Sequence, residues 1–393
     1  MKINAERLRT NLLELGHIGY QDGIGTSRMA YSEAFCKGRE YVERCMQQAG
    51  LETYVDPVGN LTGILPGSVS GARIISAGSH IDTVPGGGMY DGTLGVMAAI
   101  EAVQTMKECQ YSNRHPIEVI AFNEEEGNVV GGTFGSKAFA GQPQEESALQ
   151  KLAEHGMCED DIARSKRNPD DYRCYLELHI EQGGILESKG LELGVVEGIV
   201  GITRFMVTVP GEANHAGSTP MNLRDDALVK ACGMVERIVE ISKAVDPAMT
   251  CTIGYMEIEP GAVNVVPGCV RFPIELRCLR MESIRTAIAQ FEAEVKQSGT
   301  TVKNFLWQEP TIMDEKLCST FDAVCQKNGS RYCHMPSGAG HDAINMALFT
   351  PTAMLFVPSV AGISHSPREF TKPEDLERGT QALLDTILML DRE

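Results

Sequence analysis

The sequence predicts an α/β protein whose main domain is interrupted by a smaller α+β unit. Three observations carry that expectation. Apolar runs of strand length near residues 73–77, 117–122, 175–180 and 352–357 each end in a polar or glycine-rich loop, and Leu94 to Val103 has helical spacing. In the middle of the chain two helical patterns sit beside strands with hairpin-like spacing, as in a compact α+β insert. The 393 residues also exceed what one hydrophobic core usually supports, so two domains are expected. The expected division is 1–203 and 311–393 for the larger domain, with 204–310 inserted.

In chain order, Ile3 to Leu15 and Ser32 to Gln48 are helical, with Ser32 as cap and Gly50 as stop. Gly16 to Ser27 is glycine-rich and reads as a loop. Thr53 to Asp56 and Leu61 to Leu65 flank Pro57-Val58-Gly59-Asn60, a hairpin signal. In the insert, a strand through Thr203 to Val209 precedes a helix from Asp225 to Ala244. Strands Thr250 to Ile258 and Cys269 to Arg277 follow, then a helix from Ser283 to Gln297.

Composition narrows the class. A net charge of −18 and a pI near 5.0 argue against nucleic acid or an anionic membrane as partner. The twelve cysteines are scattered without a C-x-x-C pair, and Met1 to Glu6 has no signal-peptide core, so reduced thiols in a cytoplasm are expected. No apolar run is long enough to span a bilayer.

The chemistry gathers at the ends of the four strands. The first leads into His80-Ile81-Asp82 and Tyr90-Asp91-Gly92, in the loop where open α/β sheets keep their ligands. The second runs into Glu124-Glu125-Glu126-Gly127, three carboxylates that repel unless they splay into water or a cation compensates them. The third alternates so that His179 shares the polar side with Tyr175, Glu177 and Glu181. The fourth ends before Ser364-His365-Ser366. Together these ends supply His80, Asp91, Glu126, His179 and His365, more than one tetrahedral zinc needs. A carboxylate shared between two cations, for which Asp91 is the natural bridge, accounts for the excess. Mixed N/O ligation suits zinc, manganese or cobalt better than calcium or magnesium. Glu125, beside a ligand, is then free to act as general base.

These motifs, with Glu125-Glu126-Gly127, Leu178-His179-Ile180-Glu181-Gln182-Gly183 and Ile363-Ser364-His365-Ser366-Pro367, resemble the two-metal M20 amidohydrolases. Within that family the resemblance is to the N-carbamoyl-L-amino-acid hydrolase, allantoate amidohydrolase and β-ureidopropionase branch. It implies a mixed-sheet, zinc-peptidase-like catalytic domain with an inserted α+β lid and dimerisation domain. It further implies two divalent ions per subunit, Zn2+ or else Mn2+, Co2+ or Ni2+. One would be held by His80, Asp91 and His179, the other by Asp91, Glu126 and His365. Glu125 would be the base, Asp82 would orient His80, and a cis peptide would follow Asp91.

The same resemblance implies substrate contacts. His215 would polarise the scissile carbonyl in the partner subunit's site of a homodimer, with Asn264 beside it, and Arg277 would pair with a substrate carboxylate. Gln182 would meet the carbamoyl end, and the loop Ser337 to Ala343, with Gly340 and His341, would line the pocket. Read from the residues alone, Asn264 is a capped turn, Arg277 a surface salt bridge, and His341 as readily structural as catalytic. The implied activity is hydrolysis of the ureido C–N bond of an N-carbamoyl amino acid. Allantoate hydrolysis, a dipeptidase or aminoacylase, and a non-catalytic metal-binding protein are the alternatives in that order. One departure stands out: Val129-Val130 occupies the place where relatives usually have Arg-Phe.

Overall fold

The computed structural model describes residues 1–144 and 146–393. The chain divides into two compact units, one of Met1–Glu197 with Met313–Glu393, the other of Gly198–Ile312.

The sheet of the first unit runs in the order Leu193–Ile199, Thr352–Val357, Tyr172–Ile180, Ile74–His80, Ile117–Phe122, Leu61–Leu65, Glu52–Val55. The four strands from Thr352–Val357 to Ile117–Phe122 are parallel, and their flanking partners are antiparallel, so the sheet is mixed. Parallel strands end at a common edge, and this brings together the four polar loops that the sequence spreads over almost 300 residues.

These strands are buried on both faces, as parallel sheets usually are. The helix Thr93–Glu108 packs on Ile74–His80 and Tyr172–Ile180, and Pro373–Arg392 packs on Thr352–Val357. The alternation in Tyr172–Ile180 therefore does not mark a solvated face: Tyr175, Glu177 and His179 are as buried as Leu176 and Leu178. Their polar groups find partners within the strand, on the neighbouring strand and in the loops around it: Tyr175 OH bonds Glu177, Glu177 accepts from Ser79 and Ala343, and His179 meets Asp91.

The local signals hold where capping chemistry decides. Ser32 accepts from Phe35 N at the start of Glu33–Ala49, and Gly50 ends that helix at φ 89°. The Gly16 to Ser27 segment is more ordered than a loop, because Tyr20–Gln21 pairs with Gly25–Thr26 and Thr26 bridges to Gly87.

In the second unit Gly201–Pro210 pairs antiparallel with Cys269–Cys278 along their whole lengths. Both strands alternate between buried and half-buried positions. Phe205, Val207, Val209, Val270, Phe272 and Ile274 form a core with the inner faces of the helices Ala227–Val245 and Met281–Val295. The single strand expected from Thr250 to Ile258 is two, Thr250–Thr252 and Glu257–Glu259, which pair with opposite ends of Cys269–Cys278. A separate short ladder joins Asn214–His215 to Val265–Val266. Among the described residues no helix is long and apolar enough to cross a membrane.

Candidate metal centre

Asp91 closes the loop after the strand Ile74–His80, and Gly92 turns the chain into the helix Thr93–Glu108 at φ 65°. A Cβ at Gly92 would run into the His80 ring, so only glycine lets helix and imidazole approach this closely. The cis peptide expected after Asp91 is absent: the cis bond among the described residues is Glu259–Pro260, and Gly92 makes the turn by its positive φ instead.

The Asp91 carboxylate faces two ways. Oδ1 lies 3.2 Å from His179 Nε2 and 3.7 Å from His80 Nε2, while Oδ2 lies 3.1 Å from His365 Nε2. His365 Nε2 is in turn 3.5 Å from Glu126 Oε2. The ligand atoms of His80, Asp91 and His179 lie within 4.8 Å of one another, as do those of Asp91, Glu126 and His365. His80 Nδ1 donates to Asp82 O at 3.0 Å and His179 Nδ1 to Ile180 O at 2.9 Å, which leaves each Nε2 as the coordinating nitrogen.

Asp82 holds more than a histidine. Its carboxylate accepts from the amides of Glu125 and Glu126 at 3.2 and 3.1 Å, and stands 3.6 Å from His80 Nδ1. It thereby fixes the backbone from which both glutamates project. Glu124, at φ 60°, turns the other way and accepts from the amides of Val129, Val130 and Gly131. The consecutive carboxylates thus splay in two directions. The Val129-Val130 segment is held by its backbone, with the Val130 side chain buried against Val58 and Phe134.

A third group, Glu177, His179 and His341, also lies close together. The Glu177 carboxylate already accepts from Ser79 Oγ, Tyr175 OH and Ala343 N, so it supports the floor under His179. His341 is buried, lies 2.8 Å from Ser337 Oγ through Nε2 and sets its ring edge-on to His179. Gly340, beside it, is exposed. Gln182, at φ 56°, donates from Nε2 to Asp91 Oδ2 at 2.8 Å.

Sequence reasoning missed Glu369, a buried carboxylate in the His365 loop that accepts from Tyr90 N, Asp91 N and Ser364 Oγ. Its only local signal is an acidic residue four positions after a candidate ligand.

The charges are set for a cation. Burial pushes the Glu125 carboxyl well above its ordinary value, with Asp342, Glu126 and Asp82 adding to the push against His80. Burial likewise takes Glu126 up to about 7. Asp91 goes the other way: burial disfavours its charge, but bonds to His179, His365 and His80 hold it well below the carboxylate range. The Asp91 bond lifts His365 to about 9. Buried anions and imidazoles contending for protons are the groups a divalent cation neutralises, so the donor set fits metal.

In the second unit, His215 and Asn264 come together on the short ladder: His215 stands opposite Val265, and Asn264 O accepts from Ala216 N at 2.9 Å. His215 Nδ1 accepts from the amides of Gly217 and Ser218, which puts the proton of the neutral ring on Nε2. Arg277 lies in Cys269–Cys278 opposite Thr250, with Nε 2.8 Å from Glu275 Oε1.

The family model described as Peptidase family M20/M25/M40 matches residues 77–389. An N-carbamoyl-L-amino acid amidohydrolase of Geobacillus stearothermophilus is 36% identical over 99% of this chain and 99% of its own. An allantoate amidohydrolase of Escherichia coli is 35% identical over 94% of each. The crystal structure of an amidase of the hydantoinase/carbamoylase family from Burkholderia multivorans superposes with a TM-score of 0.88 at 30% identity, covering 100% of this chain and 99% of that one. With motif order, mixed sheet and full-length likeness in agreement, the chain belongs to peptidase family M20/M25/M40.

Proposed function

We propose that this protein hydrolyses the ureido C–N bond of an N-carbamoyl L-amino acid, releasing ammonia, carbon dioxide and the free amino acid. The observation that carries the reading is the two-way Asp91 carboxylate, with His80 and His179 on one oxygen and His365 and Glu126 on the other side, and Glu125 beside it. The full-length likeness to N-carbamoyl-L-amino acid amidohydrolases supports the substrate class. Allantoate is the second reading, favoured by the Escherichia coli and Bacillus subtilis relatives.

Two divalent cations, Zn2+ or else Mn2+, Co2+ or Ni2+, would be held by His80, Asp91 and His179 and by Asp91, Glu126 and His365. Bound there, they would supply Lewis acidity to the substrate carbonyl and lower the pKa of the attacking water. Glu125 takes the proton from the attacking water and passes it to the leaving nitrogen. Asp82 keeps Glu125 in place through its amide.

His215 carries its Nε2 proton outward, as a donor to the carbonyl oxygen must. Asn264 assists it, Arg277 binds the substrate carboxylate as a planar fork, and Gln182 meets the carbamoyl end. Gly340 and His341 line the pocket. His215 and Asn264 serve the site of a second subunit in a homodimer. Support for that interface comes from Met221, Leu223, Val229 and Val263, exposed apolar side chains on the same unit. Closure of the inserted unit as a lid would exclude water. A reducing cytoplasm suits the twelve free thiols.

The test is ammonia release by metal-reconstituted protein given N-carbamoyl-L-amino acids, N-carbamoyl-β-alanine and allantoate, beside N-acetyl amino acids and dipeptides followed by amine release. Turnover confined to acyl or peptide substrates would refute the ureido assignment. Glu125→Gln is expected to reduce turnover by about 10²–10⁴-fold with metal content unchanged, and full activity would remove Glu125 as base.

A further inference from the structure

We propose that Glu369 is a positioning residue that sets the Asp91 carboxylate and thereby the site's affinity for divalent cations, an inference that rests on the metal reading above. Glu369 is buried, and Oε1 accepts from Tyr90 N at 2.9 Å and Asp91 N at 3.1 Å. Oε2 accepts from Ser364 Oγ at 2.8 Å, and that hydroxyl lies 3.3 Å from Asp91 Oδ2. One carboxylate therefore holds the Asp91 backbone directly and keeps the Ser364 hydroxyl beside the Asp91 side chain. With its oxygens taken by three donors, Glu369 acts through Asp91 instead of as a ligand.

The same contacts join the loop bearing Asp91 to the loop bearing His365. That second loop needs an anchor, because Ala361 at φ 55° and His365 at φ 53° hold left-handed backbone, which persists only where the surroundings impose it. Glu369 N bonds Ser366 O, and Phe370 O accepts from Val360 N, so the loop closes at the residue that clamps Asp91. Space for the clamp is built in. A Cβ at Gly88 would collide with the Glu369 carboxyl and its Cβ alike, so a side chain there would drive Glu369 off the amides.

The experiment is Mn2+ binding to the metal-stripped, full-length protein, read from loss of the free-ion EPR signal, beside the melting temperature of each stripped variant. Glu369→Ala is expected to weaken Mn2+ binding by about 10–100-fold while the stripped protein still melts in one cooperative step, at a lowered temperature. Glu369→Gln, whose Oε1 can keep both amides while Nε2 donates to Ser364 Oγ, should restore binding close to wild type. Gly88→Ala, which removes no polar group, should reproduce the Glu369→Ala loss and carries the test should Glu369→Ala fail to fold. Wild-type affinity in Glu369→Ala or Gly88→Ala would overturn the proposal alone, as would a Glu369→Gln variant as weak as Glu369→Ala. A wild-type protein that takes up no Mn2+ would overturn the metal reading and this proposal with it.

Discussion

Replacing Arg28 by methionine should cost about 2–4 kcal/mol of stability, because backbone carbonyls beneath it lose their donor. The guanidinium is fully buried, with Nε on Ile81 O at 2.7 Å and Nη1 on Leu15 O and Ile18 O at 2.7 and 3.0 Å. Burial lowers its pKa to about 10 against the pull of Asp82. Methionine keeps most of the stem volume but leaves Ile81 O and Ile18 O without their donor, at about 1–3 kcal/mol for each orphan, while Leu15 O keeps its bond from Ile18 N. It also removes Nη2, a buried donor without a partner, and a desolvated charge, which together trim the loss to the lower half of that sum. Denaturant unfolding followed by circular dichroism measures the difference, and a drop of roughly 10 °C in midpoint should accompany it. Lysine cannot fork across three carbonyls and should recover only part. A loss below about 1 kcal/mol for Arg28→Met would refute the premise that this side chain ties the end of Ala5–His17 to the loop carrying Asp82.

Glu118 is buried with Oε2 unpartnered, and burial lifts its pKa from 4.5 to about 7 against Arg167 and Tyr172. The folded protein thus keeps this proton to higher pH than the unfolded chain, so stability is full below 4.5 and falls as pH rises through about 7, by about 3 kcal/mol. Glu118→Gln should flatten that part of the stability profile, and an unchanged slope would count against the assignment. Gly92→Ala must place a methyl against the His80 ring at positive φ, so metal uptake measured by elemental analysis should fall about 10–100-fold; undiminished uptake would show that His80 can move without harm. Val263→Asp, at a fully exposed site beside Asn264, should convert a dimer to a monomer on size-exclusion chromatography with loss of turnover, and an active dimer would exclude this face from the interface.

Local chemistry made much of the fold legible. The strands Leu61–Leu65, Ile117–Phe122 and Thr352–Val357 have the bounds that their apolar runs predict. Ser32 and Gly50 mark a helix because capping depends only on neighbours in sequence. The candidate ligands were readable one strand end at a time, since His80 and His179 lie at the ends of their strands and Asp91, Glu126 and His365 in the loops beyond. The insert was recognisable from its change of periodicity, although the break between Thr250–Thr252 and Glu257–Glu259 depends on how each piece pairs with Cys269–Cys278.

What the sequence alone determined was which strand ends carry the candidate ligands and in what order, because strand periodicity and glycine breaks are local. The tertiary structure decided what those ends do together. Parallel pairing put the four loops on one edge, so Asp91 could face His179 on one oxygen and His365 on the other. It decided that Glu124 turns back on the amides of residues 129–131 while Asp82 fixes the amides of Glu125 and Glu126. It buried the polar face of Tyr172–Ile180, where Glu177 meets Ser79 and Ala343, and it brought Glu369 onto the amide of Asp91, 278 positions away. A buried carboxylate is oriented by whichever donors reach it, and in this sheet those donors come from strands and loops distant in the chain, where a sequence pattern holds no record of them.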